Sequence, residues 1–415
     1  MSKLILKKAR HLEGTIDIHG AKNAALPIIA ATLLTDKKCV INSVPSLTDV
    51  ENMIEILKSL GYKVLINNST YTIIPSTVTS LKTAYEQTNK LRASFLIAGP
   101  LLAKYGNVQI SHPGGCQIGS RPVDLHLKGF ELLGATIEKK HGYIDIKADK
   151  LKGGKIYLDF PSVGATENLI MAASLAHGET ILENCAVEPE IVDLANFINS
   201  MGGDVTGAGT DTIKINGVKK LTGCEHTIIP DRIEAGTYMV AAAITKGKII
   251  INNIIPDHLR PVCAKLKEIG VTINENNSDI EVICDKILKP TDIKTLPYPG
   301  FPTDMQAQFT SLFSSLKGTS IVTETIFENR FQHICELKRM GANIKIDGRC
   351  AVIEGGKLSG AKVMATDLRA GAALVLAGLN ADGETEINNA EVISRGYTGF
   401  FENLNSLGAN IKYYE

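Results

Sequence analysis

The phrase AKLKEIGVTI, residues 264–273, decides the fold because it recurs in six variants along the chain. Each variant has a helix-like segment, an apolar residue, a glycine and then a strand-like run. The other copies are EILKSLGYKV (55–64), FELLGATIE (130–138), FINSMGGDV (197–205), ELKRMGANIKI (336–346) and NLNSLGANIKY (403–413). Their glycines are Gly61, Gly134, Gly202, Gly270, Gly341 and Gly408, which lie 73, 68, 68, 71 and 67 residues apart. This near-constant period predicts a repeated unit in which glycine ends a helix and a strand follows.

A second phrase, rich in small residues, precedes each copy of the first and adds a helix, a turn and a strand to the unit. Such alternation of helices and strands predicts an α/β fold. Because these first helices are apolar on nearly every side, we expect them to be buried. An example is DRIEAGTYMVAAAITKGKIIINN at 231–253, and the other copies begin at Asn23, Asn89, Ser162, Thr303 and Asp367.

The number of repeats predicts how the chain divides into domains. Six units of about 70 residues are too many for a single hydrophobic core, so we expect two domains of three units each. We place the first domain at residues 22–229 and the second at residues 1–21 together with 230–415. An open solenoid of stacked units is the alternative that the repeat alone leaves open.

The composition is that of an ordinary globular protein, with 44% apolar and 21% charged residues among 415. Lys plus Arg equals Asp plus Glu at 44 each, which argues against nucleic acid and anionic membranes as partners. The apolar run 24–34 is too short for a bilayer, which needs about 20 residues. Eight cysteines without a CxxC pair indicate a reduced, cytoplasmic protein, and nine histidines without ligand spacing indicate no metal site.

Polar residues gather at the starts of the predicted buried helices. Some of them are expected to be helix caps, because Asn, Ser and Asp are favoured there. Lysine and arginine oppose the helix dipole, so a cation at that position indicates a bound anion. The residues concerned are Lys22, Asn23, Asn89, Lys90, Arg92, Ser162, Val163, Gly164, Asp231, Arg232, Thr303, Asp304, Asp367 and Arg369.

The stretch SHPGGCQIGSRPVDLH, residues 111–126, places Cys116 among glycines and five residues before Arg121. Glycines make such a loop mobile, so it is suited to act as a lid. A nearby cation lowers the pKa of a thiol from about 8.5, and such a thiol serves as nucleophile or proton donor. The equivalent loops of other units carry Arg330 and Arg395, although any one of these arginines alone can be a solvated surface residue. The other seven cysteines are expected to be small buried residues.

The motifs resemble those of the UDP-N-acetylglucosamine 1-carboxyvinyltransferases, or enolpyruvyl transferases, nearly from end to end. The matching motifs include GAKNAALP (20–27), PGGCQIGSRPVDLH (113–126), PSVGATEN (161–168), FPTDMQAQF (301–309), MATDLRAGAALVLAG (364–378) and SRGYTGFFENL (394–404). The resemblance implies two inside-out α/β barrel domains, each of three repeated units, with the active site in the cleft between them. It also implies a cytoplasmic monomer that acts in cell-wall synthesis, and hence in cell shape and division.

The implied reaction moves the enolpyruvyl group of phosphoenolpyruvate to the 3′-hydroxyl of UDP-N-acetylglucosamine and releases phosphate. It is the first committed step of peptidoglycan synthesis and proceeds by addition and elimination. By the resemblance, Lys22, Arg121 and Arg395 bind phosphoenolpyruvate, with Asn23 assisting. By the same resemblance, Cys116 is expected to be the general acid and the thiol that fosfomycin alkylates. The resemblance likewise implies that Asp304 is the base that takes the proton of the sugar hydroxyl.

The resemblance also implies a wide surface for the nucleotide sugar, and no cofactor. The candidate contacts are Arg92, Arg121, Pro122, Val123, Asp124, Leu125, Ser162, Val163, Gly164, Asp304 and Ile326. Asp367 and Arg369 belong to a motif near the reacting centre, and Arg330 belongs to one near the cleft. The chain departs from many relatives at Phe160 and from some at Thr48, where those relatives have lysine. These two departures concern diphosphate or closure contacts and do not affect the residues of the reaction.

Three alternatives make different predictions from the same residues. An enzyme like 3-phosphoshikimate 1-carboxyvinyltransferase would lack the PGGC loop and the long run RPVDLH. A silent paralogue used for binding or regulation would have lost Cys116, Asp304 or Lys22, and all three are present. A solenoid scaffold would not gather charge at equivalent helix starts.

Overall fold

The computed structural model describes residues 2–76, 92–111 and 123–415, and it divides them into two compact units. The inserted unit holds the described residues between 20 and 229, and the terminal unit holds residues 2–19 and 230–415. Each unit has its own buried apolar cluster. The two units divide after residue 19, two residues before the boundary expected from the sequence. Ala21 is buried in the inserted unit's core and its amide donates to Ile229 O at 2.7 Å.

The inserted unit alternates helices with short strands. Its helices are α1 (Lys22–Ala31), α2 (Thr48–Ser59), α3 (Ala98–Tyr105), α4 (Asp124–Leu132), α5 (Val163–Ala173) and α6 (Pro189–Ser200), with 3₁₀ turns at Thr32–Leu34 and Arg92–Ile97. Its strands are β3 (Cys39–Asn42), β4 (Lys63–Asn67), β5 (Thr70–Ile74), β6 (Asn107–Ser111), β7 (Thr136–Lys140), β8 (Tyr143–Lys147), β9 (Lys155–Tyr157), β10 (Glu179–Glu183), β11 (Asp204–Thr206), β12 (Thr212–Asn216) and β13 (Glu225–Thr227).

The terminal unit repeats this arrangement. Its helices are α7 (Arg232–Thr245), α8 (Arg260–Ile269), α9 (Gln306–Ser315), α10 (Gln332–Arg339), α11 (Leu368–Asn380) and α12 (Phe400–Ser406), with 3₁₀ turns at Pro256–Leu259, Thr303–Met305 and Ala390–Arg395. Its strands are β1 (Lys3–Lys7), β2 (Glu13–Asp17), β14 (Lys248–Asn252), β15 (Thr272–Glu275), β16 (Asp279–Ile283), β17 (Ile293–Lys294), β18 (Gly318–Thr323), β19 (Asn343–Asp347), β20 (Cys350–Gly355), β21 (Lys362–Met364), β22 (Glu384–Asn388) and β23 (Ile411–Tyr414).

Among the described residues, each unit contains three small sheets. The sheets of the inserted unit have the strand orders β13-β3-β5-β4, β6-β8-β7 and β11-β12-β10-β9. The sheets of the terminal unit have the orders β21-β22-β1-β23, β15-β16-β14-β2 and β17-β18-β20-β19. The four-stranded sheets are mixed, because each joins one parallel strand pair to antiparallel ones; for example, β14 pairs in parallel with β2 and antiparallel with β16. The predicted α/β class is therefore confirmed.

The glycine phrase ends a helix in all six copies, as predicted. Each glycine has a positive φ, from 88° at Gly341 to 110° at Gly270, which costs glycine less than any other residue. The residue after each glycine donates to the carbonyl five positions earlier; Val271 N to Leu266 O at 3.0 Å is one example. This bond defines the Schellman helix end. The same local chemistry therefore turns the chain from helix to strand in every repeat.

The small-residue helices form the centre of each unit. In α7 every residue from Ile233 to Thr245 is buried, and α7, α9 and α11 contact one another. Because three repeats share one core, the units differ from an open solenoid, in which each repeat contacts only its neighbours. No helix in the described part of the chain is long and apolar enough to cross a membrane.

The cysteines are less uniformly buried than the sequence suggests. Cys39, Cys185, Cys263 and Cys284 are buried, as expected. Cys224 and Cys350 are half-buried, and Cys335 is exposed on the outer side of α10. All seven described cysteines are free thiols.

Candidate functional site

The terminal unit brings three predicted site residues together, with two arginines bound to one carboxylate. Asp304 lies in the 3₁₀ turn Thr303–Met305, which leads directly into α9. Its Oδ1 accepts a hydrogen bond from Arg330 Nη2 at 2.6 Å. Its Oδ2 accepts from Arg369 Nε and Nη2 at 3.2 and 3.0 Å. Each carboxylate oxygen thus has an arginine partner, and such charge-assisted bonds fix the orientation of the carboxylate.

Arg330 is held from two sides where it reaches Asp304. Its Nη1 donates to Thr303 Oγ1 at 2.9 Å, and its guanidinium carbon is 5.2 Å from the centre of the Phe327 ring. Since only 6% of Arg330 is exposed, its charge needs these partners. The arginine is therefore a fixed part of the cluster rather than a solvated surface residue.

Arg369, the second residue of α11, is more deeply buried, with 2% exposed. Burial acts against its charge, but Tyr397, Asp304 and Asp231 outweigh burial and raise the pKa of the guanidinium above its usual range. The guanidinium carbon is 5.1 Å from the centre of the Tyr397 ring. Its Nη1 is buried and has no hydrogen-bond partner among the described residues.

Asp367 acts in this structure as the cap of α11. Its Oδ1 accepts from the backbone amides of Arg369 and Ala370 at 2.8 and 3.0 Å. His333 is fully buried in the same region. Burial, together with the charge of Arg330, lowers the pKa of His333 to about 4, although Asp367 acts in the opposite direction.

Glu324 organises this site, although it was not among the predicted site residues. It is 1% exposed, and its Oε1 accepts from Thr295 Oγ1 and from the amides of Ile326 and Phe327, at 2.9, 2.9 and 3.2 Å. Its Oε2 accepts from Thr303 Oγ1 at 2.8 Å. The carboxylate therefore fixes half-buried Ile326, a predicted substrate contact. The signal that could have identified Glu324 is an acidic residue directly after a strand whose alternate positions are buried.

Arg395 belongs to the same unit and ends the 3₁₀ helix Ala390–Arg395, where it is half-buried. The next residue, Gly396, packs tightly against the start of α11. A Cβ at Gly396 would lie 2.2 Å from Leu368 Cδ1 and 3.5 Å from Arg369 Nη1. The backbone that carries Arg395 therefore passes beside Arg369, and no side chain fits between them.

In the inserted unit, Lys22 is the first residue of α1 and is buried. Its Nζ lies 3.4 Å from Oδ2 of Asp49, which is buried in the first turn of α2. The anion that the sequence predicts beside this lysine is thus supplied in part by the protein itself. Asn23 follows Lys22 and is half-buried, whereas Thr48 is exposed at the start of α2.

Two segments predicted to contact the nucleotide sugar, 123–125 and 162–164, lie close together. His126 joins them, because a Cβ at Gly164 would lie 3.4 Å from its Cε1. Ser162 caps α5 by accepting from the Ala165 amide at 3.4 Å. The other members differ in exposure: Val123 is buried, Leu125 and Val163 are half-buried, and Asp124 is exposed.

Asn168 ties a third predicted segment to these two. Its Nδ2 donates to Phe95 O at 2.9 Å and lies 3.1 Å from His126 Nδ1, and its Oδ1 accepts from the Gly99 amide at 2.7 Å. Phe95 belongs to the 3₁₀ helix Arg92–Ile97, so the backbone of Arg92 starts a segment that packs on α5. Asn168 lies in the motif PSVGATEN, but it was not among the predicted site residues.

Three predicted site residues, Cys116, Arg121 and Pro122, lie outside the described residues, as does the side chain of Arg92. Their roles stay predictions. In the described part of the chain, no group of three or more His, Cys, Asp or Glu side chains is arranged to hold a metal ion.

Known proteins resemble this chain over its whole length. The family of EPSP synthase (3-phosphoshikimate 1-carboxyvinyltransferase) matches residues 6–404. UDP-N-acetylglucosamine 1-carboxyvinyltransferase 1 of Caldanaerobacter subterraneus subsp. tengcongensis is 58% identical over 411 residues, which cover 99% of both chains. UDP-N-acetylglucosamine 1-carboxyvinyltransferase 2 of Clostridium tetani is 58% identical over 414 residues, again covering 99% of each.

Solved structures share the fold at much lower identity. The enolpyruvyl transferase NikO from Streptomyces tendae has a TM-score of 0.91 and 23% identity, covering 99% of this chain and 98% of its own. EPSP synthase from Acinetobacter baumannii has a TM-score of 0.79 and 21% identity, covering 100% of both chains. The predicted enolpyruvyl transferase fold is confirmed. By its full-length matches, the chain belongs to the EPSP synthase family, within the group of UDP-N-acetylglucosamine 1-carboxyvinyltransferases.

Proposed function

We propose that the protein transfers the enolpyruvyl group of phosphoenolpyruvate to the 3′-hydroxyl of UDP-N-acetylglucosamine and releases phosphate. This would be the first committed step of peptidoglycan synthesis. The observation that carries the proposal is the 58% identity, over 99% of the chain, to relatives named for this reaction. The 3-phosphoshikimate alternative is disfavoured, because relatives that are 54–58% identical are named for the reaction of the nucleotide sugar.

In the proposed reaction, Asp304 receives the proton of the acceptor hydroxyl. Its carboxylate is oriented by Arg330 and Arg369, at 2.6 and 3.0 Å, and remains partly exposed, with 24% of the side chain accessible. A carboxylate with two arginine partners is a weak base. Proton transfer is therefore expected late, once the new carbon–oxygen bond makes the hydroxyl acidic.

The donor phosphoenolpyruvate brings a phosphate and a carboxylate, which need cations. We assign them to Lys22, Arg121 and Arg395, with Asn23 as a hydrogen-bond partner. Support comes from the placement of Lys22 and Asn23 at the start of α1, where backbone amides also face outward. Cations that balance the developing charge supply a large part of catalysis in such sites.

Cys116 is proposed to complete the chemistry as the general acid. In the addition step, its thiol gives a proton to the methylene carbon of phosphoenolpyruvate while the sugar oxygen attacks carbon 2. The product is a tetrahedral phospholactoyl intermediate. In the elimination step, the Cys116 thiolate takes back a proton from the new methyl group, the bond from carbon 2 to the phosphate oxygen breaks, and inorganic phosphate leaves. The same thiol is the proposed site of alkylation by fosfomycin.

We assign contacts with the nucleotide sugar to Arg92, residues 121–125, residues 162–164, Asp304 and Ile326. The adjacency of 123–125 and 162–164 across His126 supports a shared role. Phe160 stands where many relatives have lysine and is 44% exposed, so it offers an aromatic face rather than a charge to the nucleotide. Arg330, Asp367 and Arg369 are assigned to support of the reacting centre.

The decisive experiment measures phosphate release from phosphoenolpyruvate by the purified protein. We expect release only when UDP-N-acetylglucosamine is present, and we expect fosfomycin to block it. Shikimate 3-phosphate serves as the control acceptor. Release with shikimate 3-phosphate, or none with the nucleotide sugar, would overturn the proposal.

The cellular setting follows from the substrate and the thiols. A reaction on a soluble nucleotide sugar that depends on a reduced cysteine suits the cytoplasm, which we propose as its location. We also propose that the protein is a monomer without a cofactor. Sedimentation at micromolar concentration tests the first statement, and activity after treatment with a chelator tests the second.

A further inference from the structure

A buried polar node lies behind the Asp304 cluster, where the three central helices of the terminal unit meet. The hydroxyl of Tyr397 is 3.1 Å from Thr237 Oγ1 on α7 and accepts from Gln308 Nε2 on α9, also at 3.1 Å. Thr237 and Gln308 are fully buried, and Tyr397 is 2% exposed. All three side chains are therefore shielded from bulk water.

The node reaches the carboxylate of Asp304 through Arg369. The ring of Tyr397 lies 5.1 Å from the guanidinium carbon of Arg369, at cation–π distance. That guanidinium donates twice to Asp304 Oδ2, at 3.2 and 3.0 Å. Burial raises the pKa of the Tyr397 hydroxyl even though Arg369 and Thr237 act to lower it, so the phenol stays neutral. The ring therefore presents an uncharged face that limits where Arg369 can move.

A second path reaches the backbone of the same aspartate. Gln308 Nε2, which donates to Tyr397, also lies 2.9 Å from the backbone oxygen of Asp304. One amide group thus links the phenol hydroxyl to the turn that presents the carboxylate. Asp304 is held from the node both at its side chain and at its main chain.

The node also lies next to the backbone of Arg395. Tyr397 follows Arg395 by two residues, and Gly396 between them is pressed against Leu368 and Arg369. Since the Tyr397 side chain is anchored between helices, the turn before it has little freedom. The same anchor therefore restrains the segments that carry Asp304 and Arg395.

Such a node is costly as a purely structural element. Buried polar groups lose their water, and an apolar core of the same shape is often as stable or more so. Gln308 Oε1 is itself buried without a hydrogen-bond partner in the described part of the chain. Buried hydrogen-bonded networks can specify one arrangement of their members, which is what an oriented carboxylate requires.

We propose that Tyr397 is a positioning residue for the proposed transferase reaction, acting on Asp304 through Arg369 and Gln308. The proposal rests on the function assigned to Asp304 above. Tyr397 itself touches no reacting atom, because it lies behind Arg369. Its hydroxyl fixes the ring, the ring fixes the guanidinium, and the guanidinium fixes the carboxylate.

The kinetic test compares two buried tyrosines of the same unit. Tyr397→Phe removes the hydroxyl and keeps the ring. Tyr238→Phe is the matched control, because Tyr238 is also fully buried and its hydroxyl accepts from Asn403 Nδ2 at 3.2 Å, away from Arg369. We expect kcat to fall about tenfold in Tyr397→Phe, in line with the net effect of the two hydrogen bonds lost, with KM for UDP-N-acetylglucosamine within about twofold. Tyr238→Phe should keep the kcat of the wild type.

The outcomes separate positioning from stability. Melting temperature should fall in both variants and further in Tyr397→Phe, since that variant loses two buried hydroxyl contacts and Tyr238→Phe loses one. An unchanged kcat in Tyr397→Phe, or an equal loss in both variants, would overturn the proposal. If Tyr397→Phe does not fold, Thr237→Val replaces it, because it removes the partner hydroxyl with little change in volume. A smaller loss of kcat is then expected, and an unchanged kcat in Thr237→Val would contradict the positioning role.

A second measurement does not depend on activity. The Nε–H of Arg369 donates to Asp304 and is buried, so its NMR signal should exchange slowly with water. The signal is assigned by its absence in Arg369→Lys. We expect faster exchange in Tyr397→Phe and no change in Tyr238→Phe. Unchanged exchange in Tyr397→Phe refutes the positioning role, whereas altered exchange without any transferase activity in the wild type refutes only the proposed function.

Discussion

Both units place a cation in the first turn of a buried helix, but they hold it differently. In the inserted unit, Lys22 starts α1 and its Nζ is 3.4 Å from Asp49 Oδ2. In the terminal unit, Arg369 follows the first residue of α11, donates twice to Asp304 and lies against the Tyr397 ring. Both cations oppose the helix dipole, and a carboxylate compensates each of them.

The difference indicates two kinds of use. A lysine ammonium is a point charge on a flexible stem, so it can exchange a 3.4 Å partner for a ligand anion. A buried arginine with two bonds to one oxygen is set in place by its fork geometry. Lys22 is therefore suited to bind substrate, and Arg369 is suited to hold another residue.

The largest effect is expected from removing the shared carboxylate. Asp304→Ala should lower kcat about 10³-fold, which is within the range for a lost general base. It also leaves Arg330 and Arg369 buried without their anion, which should lower the free energy of unfolding by about 3–5 kcal/mol. Phosphate release and urea unfolding measure the two effects.

The variant Asp304→Asn separates chemistry from packing in that prediction. It keeps the shape of the side chain but neither the charge nor the basic oxygen. We expect nearly the same loss of kcat with a smaller loss of stability, while UDP-N-acetylglucosamine still binds by calorimetry. A wild-type rate in either variant would remove Asp304 as the base.

The next largest loss of activity is expected from changing Cys116, the reacting group assigned to the inserted unit. Cys116→Ser should lower turnover about 10²-fold, because a serine hydroxyl is a far weaker acid than a thiol. Cys116→Asp should keep activity and resist fosfomycin, since a carboxylic acid gives a proton but is a poor target for the epoxide. Activity assays with and without the drug make the comparison.

The exposed thiol Cys335 supplies the control for this experiment. Cys335→Ser should keep both the activity and the fosfomycin sensitivity of the wild type. Equal drug sensitivity of Cys116→Asp and the wild type would contradict the role assigned to Cys116.

A third comparison addresses the two cations directly. Lys22→Gln should raise KM for phosphoenolpyruvate about 10- to 100-fold, as expected for a lost charged contact with substrate. Arg369→Gln should leave that KM nearly unchanged, and should lower kcat and melting temperature because Asp304 loses two donors. Steady-state kinetics and thermal unfolding of both variants provide the data. If both variants raise KM equally, the proposed contrast between the two helix starts is wrong.

The sequence predicts those parts of the molecule that depend on local chemistry. The six glycine helix ends were predictable because a left-handed residue is required at one fixed position. The caps Ser162, Asp231 and Asp367 were predictable for the same kind of reason, since each side chain bonds amides within three residues. The grouping of Asp304 with its arginines came from family motifs rather than from spacing.

The sequence did not reveal the long-range partners. Asp49 pairs with a lysine 27 residues away, and Tyr397 meets Thr237 from 160 residues away. Glu324 bonds Thr295 across 29 residues. No local preference marks such side chains, because their role is set by which repeat packs beside them. The extent of each unit is likewise set by long-range packing, since the burial of Ala21 depends on the whole inserted core.

The smallest predicted effect concerns His333, which is buried behind the Asp304 cluster. Burial and Arg330 lower its pKa from 6.5 to about 4, and Asp367 opposes the shift. The unfolded chain therefore takes up this proton at a higher pH than the folded chain does. Between pH 6.5 and 4, lowering the pH favours unfolding. The contribution between pH 7.5 and 5 is about 2 kcal/mol.

Urea unfolding at pH 7.5 and at pH 5 measures the contribution of His333 as a difference between the wild type and a variant. His333→Gln removes the titrating group, so its free energy of unfolding should fall about 2 kcal/mol less than that of the wild type. The control is His177→Gln, which changes an exposed histidine of the inserted unit and should follow the wild type. If His333→Gln loses as much stability as the wild type on acidification, His333 is already protonated in the folded protein. The contrast between a buried histidine in one unit and a solvated one in the other would then have no energetic consequence.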